Sequence, residues 1–251
     1  MVAGEVPTLA DIERAAVTAW PALETASIGG WLWRSSSGGS GRANSVSCLG
    51  EPGLDMEAAV ADAEARYRAR GAPARFQITD VAVPGDIDRF LAGRGYEAYD
   101  ACTTLVRQLT APDLAMPGDI VISPRPSAEW FDVYASVITP DRRTVAPRIL
   151  DRVPQPCAFV GAMVDGRVAA TVLAVLVGPI VIIECVATAA AARRRGVART
   201  AMVGAMAWAA ERGATTAALG VVAANAPAQS LYRGLGFIER GRYHLRRKDF
   251  T

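Results

Sequence analysis

Residues Ile180–Arg199 read IVIIECVATAAAARRRGVAR, and the rest of the chain is interpreted outward from them. Ile180 to Val186 is apolar and β-branched, the composition of a buried strand. Ala187 to Arg195 is a turn that closes on three arginines. Gly196 then opens an alanine-rich helix running to about Glu211. A strand, a basic turn and a helix N-terminus together make an anion site. The first backbone N–H groups of a helix have no internal partner. The helix dipole adds roughly 0.3–1 kcal/mol per anionic group at the same place. Gly196 has no side chain, so an oxygen can come close to the backbone. Ala198 keeps the next turn small. The chain contains neither GxxxxGK[ST] nor GxGxxG, which excludes a Walker loop and a dinucleotide fingerprint. Taken alone, the turn also reads as a solvated basic helix start.

The downstream sequence bears on that choice. Thr216 to Val222 is a second β-rich run, followed by Asn225–Phe237, NAPAQSLYRGLGF. Arg193-x-x-Gly196-x-Ala198 after an apolar strand resembles the pyrophosphate loop [RQ]-x-x-G-x-[GA] of the GNAT superfamily, the acyl-CoA-dependent N-acyltransferases. The run from Asn225 to Phe237 resembles the superfamily's N-x-x-A-x-x-L-Y-x-x-x-G-F signature, with Ala228 in the alanine position. Two linked motifs in this order, one helix and one strand apart, are far more specific than either alone. The resemblance covers about Ile120 to Thr251.

The resemblance implies an α+β fold with a mixed, mostly antiparallel sheet flanked by helices, and acetyl-CoA as acyl donor. In the superfamily the fourth and fifth strands splay, and pantetheine pairs with the exposed backbone, a small-molecule form of strand addition. Here Val186, Ala187 and Thr188 are expected to supply those backbone groups. Arg193, Arg194, Arg195, Gly196, Val197, Ala198 and Arg199 are expected to cradle the pyrophosphate, and Asn225 to bind the cofactor or cap a helix. A backbone N–H between 185 and 188 is the oxyanion candidate. Tyr232 is the expected general acid: a phenol near pKa ~10 can protonate a departing thiolate whose thiol sits near ~8.5. An alkyl ammonium must also lose a proton. Some relatives use a glutamate five residues before the asparagine, but that position is Gly220. Glu184, a carboxylate inside an apolar strand, is the substitute base, with a structural ion pair to an arginine as the alternative. Cys185 lies beside the site, but no histidine is near it in sequence to activate it, so direct attack is expected. His244, the only histidine, is read as structural.

Composition sets the outer limits. The chain has 251 residues, 51% of them hydrophobic, and a formal charge of +2. That is enough for a sizeable core and too little charge to argue for nucleic acid or a membrane surface. Cys48, Cys102, Cys157 and Cys185 are far apart and form no CxxC, so neither a metal site nor a disulfide framework is expected. Val168 to Ala187 is just long enough to span a bilayer. Gly178-Pro179 interrupts it and Glu184 sits inside it, so it reads as a buried hairpin. The N-terminus lacks the pattern of a signal peptide, and a cytoplasmic protein is expected.

The first half parallels the second. Ala69–Thr79 (ARGAPARFQIT) matches Ala210–Val221 in pattern, and Leu91–Tyr96 (LAGRGY) matches Tyr232–Phe237 (YRGLGF) at nearly the same offset. No R-x-x-G-x-A loop follows Asn44–Leu49, and the asparagine–tyrosine pair is missing. Residues 1–110 are therefore read as a degenerate GNAT-like domain, 111–119 as a linker and 120–251 as the catalytic domain. Arg42–Val46, RANSV, resembles a stretch in two-domain actinobacterial members. Ser35–Gly41, SSSGGSG, is read as a mobile hairpin loop. Gly95–Leu109 is read as two strands. The expected partner is a small-molecule or peptide amine. Its identity and the oligomeric state are left open, as is a non-catalytic acyl-CoA sensor or a longer acyl donor.

Overall fold

The computed structural model describes residues 6–110 and 115–250. Residues 111–114 of the expected linker lie outside that range. The chain opens with α1 (Leu9–Ala19), started by a capping box in which Thr8 and Asp11 satisfy each other's backbone N–H groups. Strands β1 (Glu24–Ile28) and β2 (Trp31–Ser35) form a hairpin, and β3 (Val46–Ser47) follows a short 3₁₀ turn at Arg42–Asn44. Then come α2 (Met56–Arg68), β4 (Ala74–Thr79), α3 (Ile87–Gly93) and β5 (Glu97–Gln108). The second half runs β6 (Ile120–Ser123), α4 (Ala128–Ala135), α5 (Pro140–Leu150), β7 (Cys157–Val164), β8 (Arg167–Val177) and β9 (Ile180–Thr188). It ends with α6 (Val197–Ala210), β10 (Thr216–Val222), α7 (Ala226–Gly234) and β11 (Ile238–Lys248).

All eleven strands belong to one mixed sheet, in the order β1-β2-β3-β4-β11-β5-β10-β9-β8-β7-β6. The two halves exchange their last strands. β5, from the first half, lies antiparallel against β10, from Thr216↔Gln108 to Val222↔Cys102. β11, from the second half, lies antiparallel against β4, from Tyr243↔Thr79 to Lys248↔Ala74. β5 and β11 pair with each other at the centre. The boundary at residue 110 is therefore one of chain order; in space each half completes the other's part of the sheet.

Burial explains the layers. The small residues Ala201, Ala205 and Ala209 of α6, with Met202 and Met206, bring that helix close to one face of β7–β9. On the other face α1, α4 and α5 pack around Trp20, Trp130 and Phe159. A third cluster, with Trp31, Trp33, Tyr67 and Phe76, forms the core of the first half. The apolar run at 168–187 is the β8–β9 hairpin. Among the described residues no helix is long and apolar enough to cross a membrane.

Three local expectations are corrected. Gly95–Leu109 holds one strand, broken only by a backbone kink at Asp100, φ 50°. Glu24–Ile28 is a strand that the sequence reading missed, because its polar residues hide the pattern on a half-exposed edge. The SSSGGSG loop is held, not mobile. The Asn44 side chain accepts from the Ser36 N–H (2.7 Å) and donates to the carbonyls of Ser40 (2.8 Å) and Gly38 (3.0 Å).

Glu13 of α1 is buried, with its carboxyl accepting from the Thr104 hydroxyl at 2.7 Å. Burial pushes its pKa above the usual carboxylate value, against the smaller opposing effects of Thr104 and Arg42. The folded chain thus keeps a proton that the unfolded chain has lost. Its contribution to stability is full below the unfolded pKa and is lost as pH rises toward the folded one. Glu13→Gln keeps the hydrogen bond and has no proton to lose. Its stability relative to wild type should rise as pH is raised above the usual carboxylate range, by up to about 1.4 kcal/mol per unit. Parallel denaturation curves across that rise in pH would show that Glu13 is ionised in the fold.

Candidate active site

β9 and β10 run parallel, yet they pair only from Thr216↔Ile180 to Ala218↔Ile182. Beyond Ile182 they diverge. The part of β9 from Glu184 to Thr188 is bonded on its β8 side alone, with Thr171↔Ala187 and Ala170↔Thr188 in register. Its other edge faces a cleft of about 950 Å³. A bulge opens the strand here: the register slips between Thr171 and Leu173, and Cys185 takes φ 53°. The Thr171 hydroxyl holds the Cys185 carbonyl at 3.0 Å. The bulge re-aims the backbone between Cys185 and Ala187, residues that line the cleft.

The cleft's outer end is the start of α6. Gly196 is its N-cap, with φ 80°, and no side chain caps the helix. No acidic residue sits in the first turn. Arg194 also has positive φ, 60°, which turns the loop back on itself. An added Cβ at Gly196 would meet nothing within 4 Å, so the space over the N–H groups is open. The first half differs at the matching place. The N-terminus of α2 is capped by its own Asp55, which accepts from the Ala58 N–H at 2.8 Å, and Glu57 follows in the first turn. The β1–β2 turn also fills the loop, with the Gly30 N–H on the Glu51 carbonyl at 2.6 Å.

Of the residues singled out in the sequence, Glu184, Val186, Ala187, Thr188, Arg193, Arg194, Gly196, Val197, Ala198, Arg199, Asn225 and Tyr232 line this one cleft. Arg195 does not line it and is exposed. Asn225 caps α7 by accepting from the Ala228 N–H at 3.2 Å. Arg199 donates to the Gly234 carbonyl at 2.8 Å, which ties α6 to the end of α7. His244 sits away from the cleft, with Nε2 2.8 Å from Asp88.

A family model described as probable histone acetyltransferase Rv0428c, C-terminal, matches residues 8–246. The chain belongs to this family. It is an acyltransferase with the GNAT fold. A curated relative, the uncharacterized N-acetyltransferase YobR of Bacillus subtilis (strain 168), is 30% identical over 254 residues, covering 94% of this chain and 97% of the relative. Among solved structures, a GCN5-related N-acetyltransferase from Kribbella flavida superposes with a TM-score of 0.73 at 16% identity, covering 98% of both chains. A tandem GNAT protein from the clavulanic acid biosynthesis pathway superposes with a TM-score of 0.62 at 15% identity, covering 79% of this chain and 72% of that one.

Within this family member, side chains from both halves meet beneath the bulge. Tyr232 is buried, with its ring against Phe237. Burial, then the nearby Glu184 charge, pushes its phenol well above the usual range, so it holds its proton at neutral pH. Glu184 is 7% exposed, and its Oε2 accepts from Nη2 of Arg42 at 2.6 Å. This is the arginine ion pair weighed as the alternative for Glu184, and its partner comes from 142 residues away in the other half. Burial, followed by the Glu184 charge, pushes the Cys185 thiol up to about 12. It stays a thiol at neutral pH.

The cleft-lining residues that the sequence reading did not single out include Arg42, Tyr134, Arg142 and Tyr243. Tyr243 occupies the space a larger residue would take at position 220. A Cβ on Gly220 would lie 2.7 Å from the Tyr243 hydroxyl. RANSV was a signal for Arg42, but only the exchanged strands and the docked loop could show what it meets.

Proposed function

We propose that this acyltransferase moves an acetyl group from acetyl-CoA to a primary amine by direct attack. The observation that carries the proposal is the unpaired edge of β9, which leads from the open N-terminus of α6 to Tyr232 and Glu184. The first half holds no second cofactor in this reading and serves as one wall of the cleft. Pantetheine pairs with the backbone of Val186–Thr188, and the pyrophosphate sits on the N–H groups of the loop and the first turn of α6. Arg193, Arg194 and Arg199 add charge around it.

The amine nitrogen attacks the thioester carbon, and the carbonyl electron pair moves onto oxygen. A backbone N–H at the bulge donates to the developing oxyanion, a contribution of about 10²–10³ in rate for one donor. Glu184 receives the proton that the amine gives up, through the carboxylate oxygen Oε1 that Arg42 leaves free. As the C–S bond breaks, Tyr232 gives its proton to the thiolate and is reprotonated from solvent.

The test is a thiol-release assay with acetyl-CoA and a panel of amines, run on wild type and Tyr232→Phe. The variant should bind acetyl-CoA as wild type does and turn over roughly 10²–10⁴-fold more slowly. Equal turnover would reduce Tyr232 to a packing residue. Wild-type binding with no thiol release for any amine would favour a non-catalytic acyl-CoA sensor.

A further inference from the structure

The acceptor side of the cleft is walled by Tyr134, Val137, Ile138 and Arg142 of the second half and by Ser40, Gly41 and Arg42 of the first. Its charged groups are not alike. Arg42 is spent on Glu184. Arg142, at the start of α5, makes no ion pair among the described residues, and no hydrogen bond engages its Nη1 or Nη2 there.

A solvated arginine is usually free to swing, but this one is not. Its Nε donates to the Tyr134 hydroxyl at 3.0 Å. Its guanidinium lies 5.3 Å from the Trp20 ring centre and 5.9 Å from that of Tyr134. Trp20 and Tyr134 are both buried. Trp20 is fixed in turn, with its Nε1 donating to the Ser40 hydroxyl at 3.0 Å. Gly39, φ 74°, brings the first-half loop onto the backbone of α5, where a Cβ would lie 2.6 Å from the Asp141 carbonyl oxygen and 2.8 Å from the Arg142 Cα. The half-buried serine–glycine loop thus packs on the base of Arg142, which lines the cleft with Nη1 and Nη2 unengaged among the described residues. Tyr134 lines the same cleft as Cys185 at the bulge. Arg142 thus shares one cleft with Glu184 and the bulge.

We infer that Arg142 anchors a carboxylate on the acceptor, so that the substrate is a small amino-acid-like amine whose carboxylate lies a few bonds from the nitrogen it presents. This rests on the reading of the cleft as the site of acetyl transfer. A fixed guanidinium fork matches the two oxygens of a carboxylate, and such charge-assisted pairs are about twice as strong as neutral ones. Asp100, exposed on the rim, is the feature that would instead suit a polycation.

The experiment uses the full chain saturated with CoA and matched pairs of L-amino acids and their amides, with spermidine as the polycation. Binding is read by calorimetry. At least one acid should bind about tenfold or more tighter than its amide. Arg142→Met should erase that ratio, and Arg142→Lys should keep part of it. The inference is overturned if no pair shows a carboxylate preference, if the preference survives in Arg142→Met, or if spermidine binds in preference to every acid. Titration of the same protein with acetyl-CoA alone tests the acetyl-transfer reading separately. Loss of that signal would remove the reading, while the acid-to-amide ratio still reports on Arg142.

Discussion

Gly196→Asp should remove most of the affinity for acetyl-CoA, weakening it at least about 100-fold, or roughly 2.7 kcal/mol. The new carboxylate would extend into the open space over the α6 N-terminus, where no protein atom lies within 4 Å of an added Cβ. It would occupy the place proposed for the pyrophosphate and cap the N–H groups there, as Asp55 does for α2. The backbone contributes a second, smaller effect. Gly196 has φ 80°, a region that costs an ordinary residue about 1–2 kcal/mol and aspartate or asparagine less. Gly196→Asn separates the two effects, since it has the same shape and backbone demand without the charge. It should retain more affinity than the aspartate variant at similar stability. Wild type should saturate at one equivalent of acetyl-CoA, because the matching helix start in the first half is already capped. A folded Gly196→Asp with unchanged affinity would remove the phosphate-cradle assignment. Two equivalents in wild type would make the first half a second cofactor site.

Much of the second half was legible because its signals are local. β9 announces itself by an unbroken β-branched run. The start of α6 shows in a glycine after arginines, and α7 in the asparagine cap and the tyrosine that follows. Each depends on residues within one or two turns of each other. The acceptor side was not legible because its parts come from separate places in the chain. Arg42 and Glu184 are 142 residues apart. Tyr243 reaches Gly220 only because β11 crosses to the centre of the sheet, and no periodicity shows which strand will be its neighbour. The serine–glycine loop was misread for a related reason. Its composition describes a free chain, while Asn44, just beyond it, supplies the hydrogen bonds that fix it.

Those long-range contacts lead to the other large effect. Arg42→Met should destabilise the fold by about 3 kcal/mol, and the cause is the carboxylate it leaves behind. Glu184 is 7% exposed and its Arg42 partner 19%, so both charges are largely withdrawn from water. Removing one member of a buried pair strands the other, which costs about 3–5 kcal/mol; the residual exposure of Arg42 argues for the lower end. In a chain of this size that corresponds to a melting point lower by roughly 6–12 °C. Arg42→Met combined with Glu184→Met should recover most of the loss, since neither charge then remains to be desolvated. The double-mutant cycle should therefore return a coupling of about 2–3 kcal/mol between residues on opposite halves of the chain. Additive losses would mean that Arg42 stabilises the cleft by packing alone. The double variant should nevertheless lack turnover, because the carboxylate proposed to receive the amine's proton is gone. Stability restored without activity would separate the two roles of Glu184: holding the halves together through Arg42, and serving the amine through its other oxygen.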